Sequence, residues 1–87
     1  MPYIVQDQRD RIDYPLRMTS VLIKTPGDLA YALTKMVLFY LDQYGKNYST
    51  LASIYGVLGT VKDEFYRRVV TPYEQEKERE NGDVYGD

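Results

Sequence analysis

The chain has 87 residues, a net charge of −2, no cysteine and no histidine. That length makes one domain with a modest core, of the size that oligomerisation often completes. The two missing residue types exclude disulfides, thiolate or imidazole metal sites, and Ser-His-Asp or Cys-His catalysis, so no enzyme, metal or cofactor is expected.

The charge is unevenly placed: residues 73–87 carry −4 and residues 1–72 carry +2. A nucleic-acid polymer is therefore not an expected partner. No apolar run approaches the ~20 residues of a membrane span, and the opening residues lack the pattern of a signal peptide. The cytoplasm is the expected location. The chain holds ten tyrosines and no tryptophan. Tyrosine can edge a core, hydrogen-bond at its tip or stack on a planar ligand.

In chain order, residues 1–5 read as a lead that docks on the body through Tyr3 and Ile4. Tyr3 is also a candidate for lining a site or an oligomer contact. Gln6–Ile12 reads as a charged helical turn, reset at Asp13-Tyr14-Pro15, where Asp13 can cap and Pro15 fits a first turn. A helix follows from Tyr14 to Lys24. Arg9, Arg11 and Arg17 form either a solvated face balanced by Asp7, Asp10 and Asp13 or a phosphate contact.

Thr25-Pro26-Gly27-Asp28 is a turn, with Asp28 as the expected cap of a helix over residues 28–44. Leu29, Leu33, Met36, Val37, Tyr40, Leu41 and Tyr44 make its stripe. Tyr31, Leu38 and Phe39 project elsewhere. A helix apolar nearly all round is central in a bundle or buried between subunits, so a homodimer or higher homo-oligomer is expected. Gly45 ends it.

Ser49 or Asn47 caps a third helix, residues 49–70, whose core stripe is Leu51, Ile54, Leu58, Val61, Phe65 and Val69. Gly56 and Gly59 lie on a second face, a notch for tight packing, a ligand or a partner subunit. Pro72 stops or kinks this helix. Thr71 then caps a polar helix to Glu80, closed by Asn81-Gly82, and residues 81–87 form a tail. The fold class is all-α: a small bundle of three main helices with short terminal ones, residues 1–87 forming a single domain.

The residues that carry charge chemistry cluster late. Arg67 and Arg68 each have an acid four residues earlier, so Asp63–Arg67 and Glu64–Arg68 pairs are expected. Alternatively, the two guanidinium groups hold a phosphate while Tyr66 and Tyr73 stack on a base. Tyr3 is a further stacking candidate. Asn81 or Asp83 would bond a ribose or base edge. The glutamates at 74, 76, 78 and 80 do not share one helical face, which argues against a metal cage.

Several segments carry a resemblance. They are Met1-Pro2-Tyr3-Ile4, Pro26-Gly27-Asp28-Leu29, Phe65-Tyr66-Arg67-Arg68-Val69-Val70, Pro72-Tyr73-Glu74 and Glu80-Asn81-Gly82-Asp83-Val84-Tyr85. With them the chain resembles a family of small uncharacterised proteins of bacteria and their phages, a domain of unknown function. Residues 46–54 are less typical of it. The resemblance implies a bacterial or phage-infected cytoplasm and no reaction. By analogy with small phage proteins that act by binding, two roles are expected. The first is a non-enzymatic anti-defence sponge that sequesters a small phosphorylated ligand, such as a nucleotide-derived immune signal. The second is a protein–protein adaptor or inhibitor that docks on a host factor through exposed tyrosines, Leu38 and Phe39.

Overall fold

The computed structural model describes residues 2–86. Met1 of the lead and Asp87 of the tail lie outside the described residues. The fold is all-α, in the order α1 (Gln6–Ser20), α2 (Pro26–Tyr44), α3 (Tyr48–Phe65), a π turn (Tyr66–Val70) and α4 (Thr71–Asn81). The chain divides into two compact units, Met1–Tyr55 and Gly56–Asp87. The boundary falls within α3 at Gly56, a residue that weakens a helix interior by about 1 kcal/mol relative to alanine.

In the first unit, Val5 opens α1 by accepting backbone bonds from Gln8 and Arg9, each 3.1 Å. Arg9 Nε donates to the Ile4 carbonyl at 2.7 Å. The expected reset at Asp13-Tyr14-Pro15 does not occur, because Pro15 lies inside α1. Proline removes only its own ladder bond to Arg11, whose exposed carbonyl can turn to water. The helix stops at Ser20, short of the expected Lys24. There Leu22 and Ile23 close tighter three-residue turns onto Thr19 and Ser20 at 3.0 Å each, and Ser20 Oγ donates to the Arg17 carbonyl at 2.8 Å. Serine hydroxyls compete with the ladder in this way.

α2 begins two residues before the expected Asp28, and Thr25 is its cap. The Asp28 backbone N–H donates to Thr25 Oγ1 at 3.0 Å. Reciprocally, Asp28 Oδ2 accepts from the Lys24 backbone N–H at 3.0 Å. This is a variant of the capping box, with Pro26 in the first turn where its missing N–H costs nothing. Gly45 terminates α2 at φ +90° and donates to the Leu41 carbonyl at 2.7 Å, as the glycine there predicts. Of the two candidate caps for α3, Asn47 serves: its Oδ1 accepts from the Thr50 N–H at 2.9 Å.

In the second unit, the expected stop at Pro72 is also overridden. Thr71 is helical at φ −60°, ψ −49° and caps nothing. Its N–H donates five residues back, to the Tyr66 carbonyl. This wider turn passes the chain into α4 without a break. Gly82 then ends α4 at φ +93°, donating to the Glu78 carbonyl at 2.8 Å. In the tail, Asp83 Oδ1 accepts from the Tyr85 N–H at 2.9 Å.

The expected core stripes are present, but a single chain does not cover them. Among the described residues no hydrophobic side chain is buried, and the one buried residue is Thr50. Leu33 and Met36 of α2 are 56% and 55% exposed, and Phe65 of α3 is 58% exposed. The glycine notch also faces open space: a Cβ at Gly56 or Gly59 would meet nothing within 4 Å. Tyr3 in the lead and Val84 and Tyr85 in the tail are exposed.

The α2 start yields two expected outcomes. Thr25→Ala should lower stability by about 1 kcal/mol in a urea titration, the usual worth of a lost cap. The Lys24 backbone N–H, followed by the Thr25 hydroxyl, holds the exposed Asp28 carboxyl below its ordinary 3.8. A depressed carboxylate contributes stability that is complete above its unfolded value and lost as pH falls through the folded one. Wild type and Asp28→Asn should therefore differ in helicity above pH 3.8 and converge in stronger acid, as read by circular dichroism.

Candidate functional site

The π turn Tyr66–Val70 presents both arginines of the sequence motif. A helix N–H four residues on would normally serve each carbonyl. Pro72 has none to offer the Arg68 carbonyl, and Thr71 gives its own to Tyr66. The π turn is thus the backbone's answer to Pro72, and it changes how the side chains fan out. The expected pairs Asp63–Arg67 and Glu64–Arg68 do not form. Instead Arg67 Nη2 donates to Glu64 Oε2 at 2.7 Å, three residues back. Glu64 lies within reach of both arginines on a helix, and this turn gives it to the nearer one. Among the described residues Arg68 and Asp63 make no hydrogen bond or ion pair.

Within the second unit a groove of about 600 Å³ brings together Tyr66, Asn81 and Asp83 of the expected site, with Val70, Glu74, Glu78 and Tyr85. Arg67, Arg68 and Tyr73 do not line it. Its rim holds three carboxylates, Glu74, Glu78 and Asp83, against Lys77. That polarity repels an anion. Tyr73 is 61% exposed, but Lys77 Nζ stands 5.6 Å from its ring centroid and 3.3 Å from Glu80 Oε1. One face of the expected stacking platform therefore already carries a cation. A second hollow, of about 540 Å³, is lined by Lys62, Asp63, Phe65 and Tyr66. Tyr3 belongs to the other unit.

The first unit has its own groove, about 460 Å³, at the C-terminal end of α2. Leu38, Phe39 and Leu41 supply its apolar wall, and Lys35, Asp42 and Lys46 its rim. Lys35 Nζ lies over the Phe39 ring, 5.2 Å from its centroid, a cation–π contact. Leu38 and Phe39 were legible as residues off the main stripe. The rim was not, because Lys46 reaches it only through the turn that Gly45 makes at positive φ.

Among the described residues no group of three or more acidic side chains is placed to hold a metal ion. The lowered carboxyl of Asp28 has its full cause in the α2 cap. Among the described residues no helix is long and apolar enough to cross a membrane.

The sequence matches the family described as Domain of unknown function (DUF6899) over residues 1–84. No curated protein and no solved structure matches it.

Proposed function

The chain belongs to this family, and from that premise we propose that it is a non-enzymatic binding protein that docks on another protein through the α2 groove. The observation that carries this reading is the exposure of Leu38 (46%) and Phe39 (58%) beside Leu41, in a groove rimmed by two lysines and one aspartate. Exposed apolar side chains rimmed by polar ones mark interaction sites, and aromatic residues such as phenylalanine are enriched at the core of interfaces. The net positive rim selects an apolar segment flanked by acidic groups. In a bacterial or phage-infected cytoplasm such a protein would act as an adaptor or inhibitor of a host factor. Phe39→Asp removes the anchor from an already exposed position. Immobilised wild-type protein should retain a host protein from lysate that Phe39→Asp loses at least tenfold. An identical set of retained proteins would sink the reading.

A second reading, sequestration of a small phosphorylated ligand, is favoured by one observation: among the described residues Arg68 has no ion-pair partner. The acidic groove beside it weighs against this reading. Against a panel of cyclic and linear nucleotides, a ligand at 100 times its Kd adds about 2.7 kcal/mol of stability. Arg68→Ala should abolish the corresponding melting shift and leave the unliganded melting temperature unchanged. No shift with any nucleotide would remove this reading for that panel.

A further inference from the structure

We infer that α2 pairs two copies of this chain, with Leu29, Leu33, Met36 and Tyr40 forming the seam. The inference rests on the reading of the protein as a binding module, and it assigns a second face of α2 to a second copy.

The seam residues recur at intervals of four, three and four, the alternation by which one helix packs along another. No charged residue interrupts them. All four are 45–56% exposed within one chain, at 49, 56, 55 and 45% in order. Leu38 and Phe39 project elsewhere on the helix, so covering the seam leaves the α2 groove open.

Area decides the size of the occupant. The chain exposes 8014 Å². A folded monomer of 10.2 kDa exposes about 5,300 Å² by the general scaling of surface with mass. The excess, about 2,700 Å², is beyond what a peptide or small ligand covers. Over two copies it doubles to about 5,400 Å², at the upper end of permanent interfaces, which remove from about 2,000 to more than 5,000 Å² over both partners.

Constancy decides its identity. Helices of 15, 19, 18 and 11 residues are marginal in water unless an apolar face is packed. No buried hydrophobic side chain within the chain offsets the entropy of ordering them. The cover must therefore be present whenever the chain is folded. The one partner always present at matching concentration is another copy, paired through the same patch on each.

The test uses the whole purified chain. Sedimentation should give a multiple of the chain mass at tens of micromolar, with a melting temperature that rises with protein concentration. Leu33→Asp with Met36→Asp should lower the mass to one chain or abolish the cooperative melt. Leu38→Asp, off the seam, should keep both the multiple mass and the concentration dependence. Single-chain mass with a concentration-independent melt would overturn the inference, whatever the variants do. So would a seam variant that assembles like wild type. A single-chain protein that still captures a partner through Phe39 would remove the pairing and leave the proposed function standing. An oligomer that captures nothing would do the reverse.

Discussion

One constraint bears on the whole molecule: among the described residues, the chain buries none of the hydrophobic side chains that its helices carry. Folding entropy must be offset mainly by removing apolar area from water, at about 25 cal/mol per Å². Here Leu29, Leu33, Met36, Leu58, Val61 and Phe65 each leave nearly half or more of their surface exposed. Local bonds do the rest of the ordering. They include the Thr25–Asp28 exchange, the Asn47 cap, and the glycine stops at Gly45 and Gly82. Such bonds fix where helices begin and end, but each contributes only about 1 kcal/mol. They can define elements without being able to stabilise a tertiary structure.

The π turn belongs to the same economy of exposed helix. Pro72 denies the ladder one donor, and an ordinary helix would kink there. Bonding Thr71 back to Tyr66 lets the chain continue helical through the proline. The stripe of Leu58, Val61 and Phe65 continues to Val69, which at 100° per residue falls about 20° from Leu58, so the apolar face runs on into the turn that holds the arginine pair.

What the sequence made legible follows from how local each signal is. Gly45 and Gly82 need positive φ, a property of one residue, and both stand where glycine predicts. The all-α class follows from periodicity over long windows. The errors fall where two local rules compete. Asp13 and Pro15 look like a helix start, yet the ladder on either side prevailed and α1 runs through them. Asp28 looks like a cap, but Thr25 three residues earlier offered a reciprocal pair in place of a single bond. Thr71-Pro72 looks like a stop, and no single-residue rule anticipates a five-residue hydrogen bond. The site was legible in part for the same reason. Tyr66, Asn81 and Asp83 share a groove, as their nearness in sequence suggested. Which acid takes which arginine depended on the π turn, and so was not.

The acidic C-terminal segment then reads differently. Among the described residues its carboxylates do not neutralise both arginines, since Arg67 is taken by Glu64 from α3 and Arg68 has no ion-pair partner. Glu74, Glu78 and Asp83 instead line a groove whose one lysine, Lys77, is engaged with Glu80 and the Tyr73 ring. Exposed pairs of this kind hold little free energy, about 0–1 kcal/mol each. Their value lies in steering, since like-charged surfaces repel wrong approaches at long range and the uncharged seam is left as the face that can close. In the proposed pairing, the acidic charge near the end of the chain and the uncharged line Leu29, Leu33, Met36 and Tyr40 would together direct association to that line of α2.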